Sequence, residues 1–336
     1  MKTKLIGLSC LILAAGLSCK RNIAYDKFTG FAQGTTYSIV FGNNGKHDSQ
    51  KIKADVEKIL HDFDMSLSLY QDSSVISRVN RNEEVRIDDY FREVFLKSVE
   101  IYKMTSGAFD PTVAPVVRAW GFGPDSHKNF RAGSLDSLLN LVGMDKVKLE
   151  GQTLIKSDPR ISLDFNAIAQ GYAVDVVYDY FNSVGFKEFL VEIGGEVRVR
   201  GDKGGAFWKI GIDRPEENNF IPGSDLQAII SLKDKALATS GNYRKFYVED
   251  GIKYSHTIDP RTGFPVRSTL LSATILADNC ALADGIATAC MVMGKENSIR
   301  FLQNNLQFDA FLIFSDDKGN FQTWSTPGFE KFISEN

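Results

Sequence analysis

The chain is 336 residues long, 43% apolar and 24% charged, with a formal net charge of −3. That length can bury a substantial core as one large domain or two intimately packed ones, and the balance is ordinary for a folded, water-facing protein. The negative charge, with no basic stripe interleaved with aromatics, excludes a nucleic-acid binder.

At the N-terminus, Lys2 and Lys4 precede an apolar run over residues 5–17, too short to span a membrane and suited to a secretory signal. The run ends at Gly16-Leu17-Ser18-Cys19, a small-residue cleavage region followed by cysteine. This resembles a bacterial lipoprotein signal in which Cys19 becomes the lipidated first residue, with Gly16 where leucine is usual; the alternative is simple cleavage and release. The expected organisation is a signal peptide over 1–18, a lipidated N-terminus and tether over 19–30, and a single domain over 31–336. The lipid would hold that domain on the periplasmic side of a bacterial membrane. Cys10 leaves with the signal, and Cys280 and Cys290 sit in apolar surroundings without metal-ligand spacing. They read as buried inert thiols, with a disulfide left open.

Residues 31–41 alternate weakly around Gly34-Thr35-Thr36-Tyr37 and predict a first strand. Over 52–69, Ile52, Val56, Ile59, Leu60 and Phe63 recur at the period of a helix. A second helix covers 90–105 and is ended by Gly107, and a shorter one covers 134–142 with Ser134 as its cap. Strand character then dominates over 153–155, 161–164, 188–199, 208–212, 226–232, 235–239 and 244–248, with a helix over 167–184 in between. A strand over 269–276, helices over 281–294 and 295–304, and strands over 310–314 and 320–325 complete the chain. Strand runs broken by long helices, without regular β-α-β alternation, predict an α+β fold.

Several segments concentrate polar chemistry. Ser66, Ser68, Tyr70 and Asp72 crowd a helix end, where a solvated turn is the ordinary reading. In Gly107-Ala108-Phe109-Asp110-Pro111-Thr112, Asp110 either caps the next turn or touches a ligand, and capping is the default. Asp164 ends a strand ahead of Asn166, Ala167 and Gln170, where a helix opens; small side chains and a helix N-terminus admit a phosphate, although a lone acid there is more often a cap. Gly194-Gly195 is either a bulge or a close backbone approach to a ligand. Ser255 to Gly263 packs His256, Asp259, Arg261 and three hydroxyls into a segment closed by a turn. Asp284 and Thr288 stand four apart in an apolar helix, so a carboxylate and a hydroxyl share one helix face. No basic residue lies within one turn of Asp284, which favours a bound cation over an intrahelical salt bridge, though a distant arginine such as Arg261 remains an alternative.

Taken in order, Gly34-Thr35-Thr36-Tyr37, Ser68-Leu69-Tyr70, the 107–112 turn, 164–172, Gly194-Gly195, Ala238-Thr239-Ser240-Gly241, 256–263 and 283–289 resemble the ApbE family of FAD:protein FMN transferases. The resemblance implies an α+β fold related to the T-fold. It implies transfer of FMN from FAD to a threonine or serine hydroxyl of a partner protein, with release of AMP and a requirement for magnesium. Implied acceptors are subunits of electron-transfer complexes of the RNF and sodium-pumping quinone reductase type. By the same resemblance Asp284 and Thr288 give side-chain ligands to the metal, and Ala167 and Ala287 backbone ones. Gln33, Tyr70, Ala108, Phe109, Asp110, Asp164, Gln170 and Ile258 align with FAD-contacting positions. Gln170 stands where many relatives have lysine, and Asn166 where many have glycine. His256, with an unperturbed pKa of about 6.5, is the candidate base for the incoming hydroxyl. The competing readings are an FAD pyrophosphatase giving FMN and AMP, and a non-catalytic FAD-binding lipoprotein.

Overall fold

The computed structural model describes residues 23–123, 135–216, 219, 223–242, 246–249, 252–255 and 257–334. The chain opens with β1 (Tyr25–Ala32) and β2 (Thr35–Gly42), paired antiparallel from Tyr25↔Gly42 to Ala32↔Thr35. β1 thus occupies part of the segment expected as tether over 19–30, and the single strand expected over 31–41 is the junction of a hairpin. Gln33 and Gly34 make its two-residue turn with φ of +53° and +73°, the conformation whose twist matches the strands it joins.

Helices α1 (Ser49–Leu67), α2 (Val75–Asn80) and α3 (Asp89–Met104) follow, then a 3-10 turn at Pro111–Val113, α4 (Ala114–Ala119) and α5 (Leu135–Leu139). Helices α1 and α3 begin where Asp48 and Asp88 accept N–H groups of Gln50 and Phe91, and they bury the apolar stripes that predicted them. Ser134, read as a cap, lies outside the described residues. Next come β3 (Val147–Glu150), β4 (Thr153–Lys156), α6 (Ala169–Val184), β5 (Phe189–Ile193), β6 (Glu196–Arg200), β7 (Trp208–Asp213) and β8 (Leu226–Leu232). Then β9 (Ala236–Gly241), β10 (Phe246–Glu249), β11 (Ile252–Ser255) and β12 (Leu270–Ala277) lead into α7 (Cys280–Asn304). The described chain ends with β13 (Asp309–Ser315), β14 (Phe321–Ser325) and α8 (Pro327–Glu330).

Eight strands form one sheet in the order β1-β2-β5-β6-β9-β12-β13-β14, and each neighbouring pair is antiparallel. Side chains alternate between its faces. Tyr37, Ile39, Phe41, Val191, Ala238, Ala273, Ile275 and Leu312 meet α1, α3, α6 and α7 in the main core. Val197, Leu237, Leu276, Phe311 and Ile313 face a smaller core closed by the β7–β8 hairpin and Phe329 of α8. The α+β expectation is met: helices layer one face of an antiparallel sheet, with a hairpin over the other.

Two strand expectations fail for identifiable reasons. Residues 161–164 pair with no strand; the Asn80 side chain instead donates to the Leu163 carbonyl at 2.9 Å and accepts the Leu163 N–H at 2.8 Å. One amide thus replaces a ladder partner for a buried, β-prone segment. Residues 188–199 are two strands, because Gly194 and Gly195 adopt φ of +65° and +111° and turn the chain back on itself. Cys280 and Cys290 are both free and buried; ten residues along one helix set them about 15 Å apart, beyond disulfide reach.

A buried carboxylate locks α6 to α7. Asp175 of α6 accepts the N–H groups of Cys280 (2.8 Å) and Ala281 (2.9 Å), the free donors of α7's first turn. Its charge is met by Arg198 of β6 at 2.7 Å, whose guanidinium lies 3.9 Å from the Tyr178 ring centre. Asp175→Ala removes the acceptor from two helix N–H groups and strands a largely buried guanidinium. It should cost about 3–5 kcal/mol in urea unfolding; an unmoved midpoint would contradict the clamp.

Candidate active site

Asp284 enters α7 one turn after the Asp175 clamp, in a stretch where Ala281, Ala283, Ile286, Ala287 and Ala289 are buried. Small side chains let α7 lie close under the sheet and against α6. The closest approach is Gly171: a Cβ there would collide with the Cys280 carbonyl oxygen and come within 2.7 Å of Asp284 Cβ. At that contact Asp284 Oδ2 accepts the Gly171 N–H at 3.0 Å. Gly171 lies in the first turn of α6, whose N-cap residue Ile168 gives no side-chain cap, so Asp284 serves a donor the helix start leaves open.

The carboxylate is only 6% exposed, and no cation pairs with it among the described residues. Arg261, the distant candidate partner, is bound instead to Asp259 at 2.9 and 2.8 Å. Burial pushes the Asp284 carboxyl above its ordinary value, and the negative charge of Asp175 adds to this against the Gly171 hydrogen bond. Thr288, one turn further, is half-buried, with its hydroxyl 3.1 Å from that of Ser240 on β9. Ala287 is fully buried within the same helix, and Ala167 sits in the turn that leads into α6. No group of three or more His, Cys, Asp or Glu is placed to hold a metal ion among the described residues. Asp284 and Thr288 bring a carboxylate and a hydroxyl to one face of α7. A buried acid without a counter-cation fits a hard divalent ion that keeps some ligands for substrate oxygens.

Several of the other expected residues lie near this crossing in two groups. On one side, Gln170 Nε2 donates to the Ile193 carbonyl at 3.1 Å and lies where a Cβ on Gly194 would stand, so the Gly-Gly turn makes room for Gln170. Thr35, beside Gln33, packs on the same glycine, and Gly194 N–H bonds the Thr36 carbonyl at 3.0 Å. Gln33 Nε2 is buried without a hydrogen-bond partner among the described residues. Two turns and a helix N-terminus thus meet at one rim.

On the other side, Asp110 holds the cap position expected as its default, accepting the Thr112 N–H at 2.8 Å and hydroxyl at 2.5 Å. Burial pushes its carboxyl up to about 6, against those two bonds. Asp164 N–H bonds the Pro111 carbonyl at 2.9 Å, and its carboxylate accepts the Asn166 N–H at 2.8 Å. Ala108 and Phe109 are buried, and the Phe109 ring stands 3.5 Å from where a Cβ on Gly285 would lie, which joins this group to α7 beside Asp284. Ile258 is buried with Val116, Trp120 and Leu135. Tyr70 stands 68% exposed, with no hydrogen bond, ion pair or ring contact to Asp284 among the described residues. His256 lies outside them.

A model of the ApbE family matches residues 33–312 of the chain. The chain belongs to the ApbE family. It is 34% identical over 342 residues to the FAD:protein FMN transferase of Vibrio cholerae serotype O1, covering 100% of each chain. It is 33% identical over 345 residues to that of Haemophilus influenzae, covering 98% of each. Among solved structures, the flavin transferase ApbE from Vibrio cholerae superposes with a TM-score of 0.82 at 34% identity, over 92% of this chain and 99% of that one. The ApbE protein from Thermotoga maritima gives 0.80 at 29% identity, over 93% and 100%.

Within this ApbE site, sequence reasoning gave no individual role to Gly171, Asp175 or Ser240. No local spacing marks Gly171 or Asp175, since both act between helices 100 or more residues apart in the chain. The Asp284 carboxyl also makes a thermodynamic signature. The folded protein holds its proton more tightly than the unfolded chain, so the group costs nothing below its ordinary pKa of 3.8 and lowers stability increasingly as pH rises above it. Metal-free Asp284→Asn should match the parent near pH 4 and exceed it by about 1–4 kcal/mol at pH 7. Urea midpoints that stay parallel across this range would rule out a strained, buried carboxylate.

Proposed function

We propose that this chain transfers the FMN half of FAD to a threonine or serine hydroxyl of an acceptor protein and releases AMP. The observation that carries the reading is a buried Asp284, with no counter-cation among the described residues, one turn from Thr288, in a chain 34% identical end to end to an FAD:protein FMN transferase. Asp284 and Thr288, with the backbone carbonyls of Ala167 and Ala287, are the oxygen set assigned to magnesium, which when bound would neutralise charge on the diphosphate.

The remaining work falls to the chain. Backbone N–H groups at the start of α6 favour the diphosphate, and the unpartnered Gln33 amide supplies a further donor at that rim. Ala108, Phe109, Asp110, Asp164 and Ile258 are assigned to the rest of FAD, Gln170 to the edge of its diphosphate, and the exposed Tyr70 ring to an aromatic face of the ligand. The acceptor oxygen bonds to the FMN-side phosphorus while the bond from that phosphorus to the bridging oxygen breaks, and AMP leaves with that oxygen. His256 is assigned as the base that takes the hydroxyl proton. Chemistry of this kind depends on positioning and charge neutralisation, which rigid helix crossings provide.

The acceptor class we assign is an electron-transfer subunit of the RNF or sodium-pumping quinone reductase type. We assign residues 1–18 as a signal and Cys19 as a lipidated residue, which would hold the domain at the periplasmic face of a membrane. No helix among the described residues is long and apolar enough to cross a membrane.

Incubation with FAD, magnesium and such an acceptor should add the mass of FMN to one threonine or serine and release AMP in equal amount. Free FMN and AMP without acceptor modification would assign a pyrophosphatase instead, and intact FAD a binding protein. Asp284→Ala should lose magnesium-dependent turnover about a hundred-fold or more. His256→Ala should slow transfer about a hundred-fold, and a rate equal to the parent would remove it as the base. Cys19→Ala should move the protein from the membrane pellet to the soluble fraction.

A further inference from the structure

Strand β9 carries hydroxyls on two successive residues, and alternation along a strand sends them to opposite faces. Ala236 and Ala238 belong to the core under α7, whereas Leu237 belongs to the core on the far face. Ser240 continues the first set and Thr239 the second. The hydroxyl contacts follow this register. Ser240 Oγ lies 3.1 Å from Thr288 Oγ1 on α7. Thr239 Oγ1 lies 2.8 Å from Thr274 Oγ1 on β12, two residues before Leu276 of the far core.

A threonine in a helix commonly returns its hydroxyl proton to the carbonyl one turn back. Thr105, at the end of α3, does this, donating to the Ile101 carbonyl at 2.7 Å. Thr288 takes a different partner: among the described residues its hydroxyl bonds to Ser240. An alcohol has one proton and two lone pairs. A threonine that offers a lone pair to a cation must send its proton away from the ion, to an acceptor whose direction the fold determines.

We propose that Ser240 is a positioning residue for the cation site. Its Oγ accepts the Thr288 hydroxyl proton and thereby turns a Thr288 lone pair toward the ion that Thr288 and Asp284 hold. The inference rests on the cation reading above and extends it by one residue, on a different element from either ligand. Ser240 lies between two fixed surfaces: β9 is bonded to β12 with Ser240 opposite Ala273, and its small neighbours pack against α7. Outer residues so held orient metal ligands and tune their affinity.

The test is binding of Mn2+ alone to the purified protein, followed by the electron paramagnetic resonance signal of free ion, with urea midpoints measured alongside. Ser240→Ala should weaken Mn2+ about ten-fold or more with an unchanged midpoint, while Ser240→Thr, which keeps an acceptor oxygen, should bind within about three-fold of the parent. Thr239→Ala, which deletes the neighbouring hydroxyl from the other face, should bind as the parent does. Parental affinity in Ser240→Ala overturns the proposal. Equal weakening in Ser240→Thr and Ser240→Ala also overturns it, because packing rather than the acceptor oxygen would then be responsible. A parent that takes up no Mn2+, or an Asp284→Ala that binds it equally well, overturns the cation reading itself.

Discussion

The site depends on how closely α6 and α7 cross. At Gly171 the two helices touch with no room for a side chain, and the Asp284 carboxylate lies in the gap and accepts one backbone N–H. Hydrogen bonds from the start of α7 to Asp175 hold the other end of the same crossing. Between them these contacts set the rotation of α7 about its own axis. That rotation decides whether Asp284 faces Gly171 and whether Thr288 faces Ser240. With 3.6 residues per turn, a slip by one residue would swing both through about 100° and dismantle the site.

The arrangement places two acids of opposite economy side by side. Asp175 is satisfied three times over, by two N–H groups and a guanidinium, and acts as part of the scaffold. Asp284 is equally buried and has one N–H, with no cation among the described residues. A buried charge left in that state works against folding. It makes chemical sense where a ligand or ion completes its coordination, which is why perturbed acids mark functional sites. Gln33, with its buried and unpartnered amide, lies on the same rim and makes the same point for a neutral group.

Much of this was legible before any coordinates. The stripes of α1 and α3, the pairing of Asp284 with Thr288 on one face, and the ordered motifs that resemble the ApbE family follow from local spacing, because a helix maps sequence separation onto space directly. Elements decided by distant partners were not legible. Residues 161–164 have strand composition, yet the Asn80 side chain, about eighty residues earlier, occupies their backbone groups. The β1–β2 and β5–β6 hairpins hid inside runs read as continuous strands, because Gln33-Gly34 and Gly194-Gly195 are weaker turn signals than Asn-Gly. Gln170 was read only as a ligand contact; the fold also gives it a tie to the Ile193 carbonyl.

By itself, then, the sequence determined the residue types of the chemistry, the helix face on which Asp284 and Thr288 stand, the α+β class and the family. Tertiary structure alone decided which acid is satisfied and which is left open, that Arg261 serves Asp259 rather than Asp284, and that Ser240 rather than Thr239 meets Thr288. The division has one physical cause. Periodicity fixes what lies beside what along one element, whereas hydrogen-bond satisfaction between elements depends on helix rotation and strand register, which are settled only when the whole core packs.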